Sequence, residues 1–255
     1  MSDAMKVIYI CFPEGKHKVL TMSYDDGKLA DRRLVSIFNH YGIKGTFHLN
    51  SGMHGPERIP SEEWKALYEG HEMSCHTVTH PTIARSPVEQ VAVQVLEDRR
   101  YIERIAGYPV RGLSYPNGSY NREIIELLPK LGIEYSRIVG NTDDFSMPEN
   151  YLAWEATCHH NHNLIENGKR FLELKKTQYM YMMYVWGHSY EFDRDNNWEL
   201  MEEFCEMMSG QEDIWYATNI QIVDYMKAAK NLRFTLDGDL SLIHISEPTR
   251  RSYIS

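Results

Sequence analysis

The chain has 255 residues, 42% of them hydrophobic and 25% charged, with a formal net charge of −9 at pH 7. This length and composition fit one large α/β domain or two small ones. The negative charge and the absence of a Lys/Arg-rich run argue against a nucleic-acid or anionic-membrane partner, because both depend on clustered positive charge. Four cysteines lie far apart without a CxxC pair, so we expect reduced thiols.

The N-terminal residues do not predict an export signal or a membrane anchor. Lys6 precedes a short apolar run over 7–12, which Pro13, Glu14 and Gly15 interrupt before a signal-peptide core could form. No later segment approaches the length of a membrane-spanning helix. As given, the sequence favours a cytoplasmic protein with no membrane partner, and export stays open if the true start lies elsewhere.

Short apolar runs rich in β-branched and aromatic residues alternate with longer segments of helical period. This alternation is typical of a parallel sheet covered by helices, and it predicts a distorted (β/α) barrel, with an open doubly wound sheet as the alternative. No internal repeat or composition break divides the chain, so we expect one domain over residues 1–237. Seven strands are predicted, at residues 19–24, 45–49, 72–75, 110–115, 133–138, 179–186 and 214–217.

Three of the intervening helices have recognisable ends. Ser86, Pro87 and Glu89 form a capping-box pattern that opens a helix running to Gly107. Helices over 28–41 and 121–131 each end before a glycine that suits a left-handed C-terminal position. Pro129, close to the end of the second, predicts a kink or early fraying there.

The last segment, residues 240–255, differs from the rest of the chain. Its sequence Ser-Leu-Ile-His-Ile-Ser-Glu-Pro-Thr-Arg is similar to peptides produced when sequencing-adapter DNA is translated in frame. We therefore expect this tail to be non-native, and His244 is left out of every candidate site.

Two polar motifs directly follow predicted strands. Asp25 and Asp26 precede Gly27 at the end of the first, and adjacent carboxylates at a strand end point in different directions, so one could bind an ion while the other faces a substrate. His76 and His80 follow the third strand, and a helical turn would bring both imidazoles to one face, as a metal ion requires. Each pattern alone is common, since Asp-Asp-Gly also suits a tight turn.

Further polar and aromatic residues follow the fourth, fifth and sixth predicted strands. They are Tyr115, Pro116, Asn117 and Gly118, then Asp143, Asp144 and Phe145, then Trp186 and His188. In barrel enzymes the carboxyl ends of the strands form the active-site face, so these residues are expected to converge with the two motifs.

With these motifs in order, the chain resembles the polysaccharide deacetylases, the NodB-homology fold of carbohydrate esterase family 4. The first family motif, an acid pair before glycine, matches Asp25-Asp26-Gly27, and the second, His-Ser/Thr-x-x-His, matches residues 76–80. The resemblance implies that Asp25 is the general base and that Asp26, His76 and His80 are metal ligands. It covers residues 19–229 and implies a distorted barrel with fewer than eight repeats.

The remaining motifs match in part. Pro116 and Gly118 fit the third motif, Arg-x-Pro-x-Gly, but Ser114 stands at the arginine position. Arg111 is an unpromising substitute, because its three-residue offset points it to the opposite face of the strand. By resemblance, Asp144 tunes the catalytic histidine and His188 is the general acid. Phe145 and Trp186 are expected to line the pocket and, with residues Tyr115, Pro116, Asn117 and Gly118, to contact the substrate. A backbone N–H within 115–117 would stabilise the oxyanion.

The resemblance implies a metal-dependent hydrolase that removes N-acetyl or O-acetyl groups from a carbohydrate. An Asp-His-His set suits Zn²⁺ best, with Co²⁺, Mn²⁺ and Ni²⁺ as alternatives. Two other functions stay open: hydrolysis of a non-sugar cyclic amide on the same fold, and carbohydrate binding by an inactive site. A second histidine cluster, His159, His160 and His162, is interpreted as a polar loop rather than a groove wall or second metal site.

Overall fold

The computed structural model describes residues 9–232, so the ends of the predicted domain and the tail at 240–255 lie outside the described residues. Strands and helices alternate along the chain. The elements are β1 Lys18–Asp25, α1 Asp31–Tyr41, β2 Gly45–Leu49, α2 Trp64–Leu67, β3 Glu72–Cys75, α3 Val88–Ala106, β4 Gly112–Ser114, α4 Arg122–Leu127, β5 Tyr135–Arg137, β6 Cys158–His159, α5 Leu164–Glu173, β7 Tyr181–Gly187, α6 Tyr190–Asp195, α7 Trp198–Met208, β8 Ile214–Tyr216 and α8 Asn219–Lys230.

The strands form one sheet in the order β5-β4-β3-β2-β1-β7-β6, with β8 paired to the first residues of β1. All of these pairings are parallel. The architecture confirms the predicted distorted (β/α) barrel, and each of the seven predicted strands overlaps an observed one. The two-residue strand β6 was missed, because a strand this short has no detectable period.

The helix ends agree with the glycine signals better than with the capping signal. Gly42 and Gly107 have left-handed φ values of 68° and 77° directly after α1 and α3. The predicted capping box is wrong: α3 begins at Val88 after Pro87, and no side chain caps it. The helix predicted over 121–131 changes after Leu127 into a 3₁₀ turn that contains Pro129, as a proline near a helix end would cause.

Strand β1 separates an apolar face from a polar one. Leu20, Met22 and Tyr24 pack in the core cluster that includes side chains of the covering helices. The alternate residues, including Thr21, Ser23 and Asp25, are equally buried but lie on the opposite face. The barrel interior is therefore lined by buried polar groups, and Asp25 lies at the carboxyl end of that lining.

The described helices include none that is both long and apolar enough to cross a membrane. All four cysteines are free, as expected from their spacing.

A buried hydrogen-bond network surrounds Glu72 at the amino end of β3. The Oε1 atom of Glu72 accepts a hydrogen bond of 2.6 Å from the Tyr135 hydroxyl, and Oε2 accepts one of 3.0 Å from Thr46 and one of 2.9 Å from the Ile220 N–H. Burial raises the pKa of Glu72 to about 7, although these hydrogen bonds act in the opposite direction. The native state therefore holds this proton at pH values where the unfolded chain releases it.

This raised pKa predicts that Glu72 makes the protein less stable as the pH increases from about 4.5 to 7. Across that interval the native state binds more protons than the unfolded state, so the free energy of unfolding falls with rising pH, by roughly 3 kcal/mol for this group. We expect Glu72→Gln to reduce that fall in urea denaturation series at pH 4.5 to 8. Glu69→Gln, on the exposed surface, is the control; a Glu72→Gln series parallel to wild type would contradict the prediction.

Candidate functional site

The two adjacent aspartates at the end of β1 have different environments. Asp25 is 3% exposed and lies on the polar face of β1, whereas the Asp26 side chain is 14% exposed and its backbone has a left-handed φ of 85°. Such a φ is uncommon for a residue other than glycine and interrupts the alternation of strand side chains. Both carboxylates consequently reach the same histidine, His76, rather than opposite faces of the sheet.

His76 and His80 lie together, but on a loop rather than a helical turn. Thr77 and His80 have φ values of 66° and 55°, so the predicted helical geometry of this motif is wrong. The two rings nevertheless meet edge to face, with centroids 4.6 Å apart. Asp26, His76 and His80 each offer one ligand atom, and these three atoms lie within 4.8 Å of one another.

The loop that carries His76 is held by buried hydrogen bonds. His76 Nδ1 donates to the Ser114 carbonyl at 2.8 Å, which leaves Nε2 unprotonated in the neutral ring. That Nε2 atom is buried and has no hydrogen-bond partner among the described residues. The Asn50 amide donates to the carbonyls of His76 and Thr77, and Asp98 accepts from the His76 N–H at 2.9 Å. An orphaned imidazole nitrogen beside a carboxylate and a second imidazole fits a divalent cation such as Zn²⁺.

The arginine missing from the third motif is supplied by the neighbouring strand. Arg137 on β5 lies opposite Ser114 on β4, and its guanidinium donates to Asp25 Oδ2 and to the Ser114 hydroxyl. Ser114 in turn donates to the same Asp25 oxygen at 3.0 Å. Arg111 lies elsewhere, in surface ion pairs with Asp224 and Glu134, so it does not substitute for the family arginine.

The arginine sets the charge state of Asp25. Burial alone would raise the pKa of this carboxyl, but Arg137, with a contribution from His76, outweighs burial and holds the pKa well below its usual range. The guanidinium itself is 1% exposed and lies 4.4 Å from the ring of Trp186, a cation–π contact. Only one oxygen of Asp25 takes part in these bonds; Oδ1 has no hydrogen-bond partner within residues 9–232.

His188 lies directly after β7, and its carboxylate partner is Glu191 rather than Asp144. His188 Nδ1 is 3.4 Å from Glu191 Oε2, in the first turn of α6. Burial lowers the pKa of His188, but the Glu191 contact and the negative charge of Asp25 outweigh it and raise the pKa overall. Asp144 is exposed, and its pKa is lowered mainly by a hydrogen bond from Ser146. The predicted pairing of Asp144 with His188 is therefore wrong.

Phe145 and Trp186 differ from the predicted pair of pocket aromatics. Phe145 packs against Phe171 at 5.3 Å, and its carbonyl accepts from the Met182 N–H at the amino end of β7, the end remote from His188. Phe145 is thus a core residue away from the site. Trp186 does lie at the site, but it is 7% exposed and donates to the Gly140 carbonyl at 2.9 Å. Its ring packs against the Arg137 guanidinium.

The 115–118 segment borders the same end of the barrel. The Tyr115 N–H donates to the Arg137 carbonyl at 3.1 Å and is therefore committed to the sheet, while Pro116 has no N–H. Asn117 is exposed, with a left-handed φ of 55°, and its N–H has no acceptor among the described residues. Gly118 has a φ of 61°, and a side chain there would meet Val139 at 2.9 Å. Of the predicted oxyanion donors, Asn117 is thus the available one.

An open cleft of about 640 Å³ begins at the proposed metal ligands. Asp26 and His80 line it together with Met53, Arg58, Tyr190 and Asp193. A cleft of this size is ample for a small-molecule substrate or one residue of a polymer.

Comparison with known proteins identifies a family that the first half of the chain matches. The family model for polysaccharide deacetylases matches residues 12–136. A peptidoglycan-N-acetylglucosamine deacetylase of Bacillus cereus is 26% identical over 116 residues, which are 45% of this chain and 40% of that protein. The chain therefore aligns with less than half of that relative's length.

Two solved structures show the same fold. A candidate polysaccharide deacetylase from Mycobacterium smegmatis superposes with a TM-score of 0.65 at 16% identity, over 89% of this chain and 96% of that one. The Puue allantoinase superposes with a TM-score of 0.64 at 13% identity, over 85% and 92% of the two chains. At these identities the likeness concerns the fold alone. Residues 12–136, which carry the aspartate pair and the histidine motif, thus match the polysaccharide deacetylase family.

Proposed function

We propose that the protein is a divalent-metal-dependent hydrolase that removes N-acetyl groups from an amino sugar or its oligomers. The observation that carries this proposal is the position of Asp25. Its carboxylate is buried, is kept ionised by Arg137 and lies 3.7 Å from His76, beside the Asp26, His76 and His80 cluster. A base next to a three-ligand cation site is the arrangement that metal-assisted hydrolysis requires.

The cation held by Asp26, His76 and His80 would lower the pKa of a water and polarise the acetyl carbonyl. Asp25 accepts the proton of the attacking water through Oδ1, because Oδ2 is already bonded to Arg137 and Ser114. The Asn117 N–H stabilises the negative charge that develops on the carbonyl oxygen. His188, whose pKa is raised by Glu191 and Asp25, gives a proton to the leaving amine, which leaves poorly as an anion.

The substrate class rests on the relatives. The matched family is named for polysaccharide deacetylation, and the Bacillus cereus relative is named for N-acetylglucosamine in peptidoglycan. Because the same fold also carries an allantoinase, the fold itself does not separate sugar amides from cyclic ureides.

The test is a substrate panel run on metal-free protein and on protein reloaded with Zn²⁺, Co²⁺, Mn²⁺ or Ni²⁺. We expect acetate release from N-acetylglucosamine oligomers that is lost with chelator and restored by metal. Allantoin and hydantoin form the second arm; turnover of these alone would move the assignment to cyclic amides. Binding of the oligomers without turnover at saturating metal would mean that the protein is a carbohydrate-binding protein rather than an enzyme.

A further inference from the structure

A second group of side chains that could hold a metal ion lies next to His188. It consists of His159 at the end of β6, His160 next to it, and Glu191 on α6. The Glu191 Oε2 atom is 2.9 Å from His159 Nε2 and 3.4 Å from His160 Nε2. One ligand atom from each of the three residues lies within 4.8 Å of the other two.

His160 is the unexplained member of this group. It is 0% exposed, and neither of its ring nitrogens has a hydrogen-bond partner among the described residues. Buried polar groups are ordinarily hydrogen-bonded, so an imidazole with two orphaned nitrogens requires a further partner. Full burial favours the neutral ring, which keeps one nitrogen lone pair available for a cation.

The surroundings of His160 fix the orientation of its ring. It stacks on Phe192, with centroids 4.1 Å apart, and on Tyr24, with centroids 5.8 Å apart and planes inclined by 6°. A side chain on Gly187 would lie 2.0 Å from His160 Nδ1, so glycine is needed where β7 passes under the ring. The ring is thus held with Nε2 directed at the Glu191 carboxylate rather than at solvent.

The number of nitrogen atoms around Glu191 Oε2 suits a cation: His159 Nε2 is at an ordinary hydrogen-bond distance of 2.9 Å, but His160 Nε2, at 3.4 Å, is not. Three imidazole nitrogens surround one carboxylate oxygen, because His188 Nδ1 also lies 3.4 Å from Glu191 Oε2. Around a tetrahedral zinc ion with bonds of about 2.0–2.1 Å, neighbouring ligand atoms lie about 3.3–3.4 Å apart. We propose that His159, His160 and Glu191 form a second divalent-cation site of the zinc type, separate from Asp26, His76 and His80.

A cation at this position would join two elements that lie far apart in the sequence. It would link the end of β6 to the first turn of α6 and fix Glu191, whose carboxylate contacts His188. The His159 side chain is 18% exposed, which gives an ion a path from solvent.

The test is a count of zinc ions per full-length chain by native mass spectrometry and elemental analysis, with Zn²⁺ as the only added metal. We expect two ions in wild type and one in each of His159→Gln, Glu191→Gln and His80→Gln, the last removing a ligand of the first site. The double variant His80→Gln/His159→Gln should bind none. Circular dichroism spectra like that of wild type establish that each variant is folded.

Three results would overturn the proposal: one ion in wild type that His80→Gln removes completely, two ions in folded His159→Gln, or two ions in folded Glu191→Gln. The zinc count distinguishes the two sites, because His159→Gln should lose only the ion of the second site. A failure of that prediction would leave the Asp26, His76 and His80 site unaffected. As a second readout, zinc should raise the thermal midpoint of His80→Gln but not that of the double variant.

Discussion

Replacing Asp25 with asparagine is expected to reduce kcat/KM for acetate release by roughly 10²–10⁴-fold, the contribution of a general base, while metal content stays at the wild-type level. Asparagine has nearly the same shape and can still accept from Arg137 and Ser114 through one oxygen. It cannot take a proton from the attacking water. Steady-state kinetics on N-acetylglucosamine oligomers, together with elemental analysis of the same preparation, would measure both quantities.

Two further Asp→Asn substitutions make this test specific. Asp26→Asn removes a proposed ligand, so activity and metal content should fall together. Asp144→Asn removes an exposed carboxylate that does not contact His188, so kcat/KM should stay within a factor of two or so of wild type. Full activity in Asp25→Asn would exclude Asp25 as the base, and a large loss in Asp144→Asn would reinstate the family assignment against the observed geometry.

The sequence predicted the part of the site that depends on strand ends. Asp25, Asp26 and His76 follow strands whose apolar runs are easily recognised, and the carboxyl ends of parallel strands meet at one edge of a sheet. Even so, the histidine pair was placed on a helical turn, whereas left-handed residues in a loop bring the rings together. The spacing predicted the contact but not the backbone that makes it.

The part that failed depends on a long irregular segment. Residues 138–157 join β5 to β6 with only one short 3₁₀ turn, Tyr151–Ala153, and such a segment has no period from which positions can be inferred. Asp144 and Phe145 match two letters of a family motif. The Phe145 carbonyl, however, bonds to Met182 at the amino end of β7, away from the candidate site. Glu191 lies beside His188 in place of Asp144, because it is in the first turn of α6, three residues after His188. That spacing alone does not show that the two side chains meet.

Arg137 could have been found from the sequence. It is an arginine inside a predicted strand, between Ser136 and Ile138, and a charged side chain in a buried parallel strand requires a partner of opposite charge. The positions around the third motif offered only Ser114, which is not an arginine, and Arg111, which points to the opposite strand face, whereas Arg137 lies on the strand beside them. Arg137, on the strand next to Ser114, donates to the proposed base Asp25.

Arg137→Met is expected to lower the free energy of unfolding by about 3–5 kcal/mol, the usual cost of removing one partner from a buried ion pair. Asp25 would then be a buried carboxylate with only Ser114 as a hydrogen-bond donor, because Arg137 and Asp25 are each almost fully buried. Urea denaturation at neutral pH in the presence of chelator measures the effect without a contribution from bound metal. Arg111→Met, which breaks surface ion pairs, is the matched control and should cost no more than about 1 kcal/mol.

The double variant Asp25→Asn/Arg137→Met separates charge pairing from packing. If the loss arises from an uncompensated carboxylate, removing that charge should recover most of the stability, giving a large coupling energy between the two positions. If the guanidinium instead acts by filling space against Trp186, the double variant should be as unstable as Arg137→Met alone. A small coupling energy would therefore mean that Arg137 is a packing residue, and the role proposed for it in keeping Asp25 ionised would have to be abandoned.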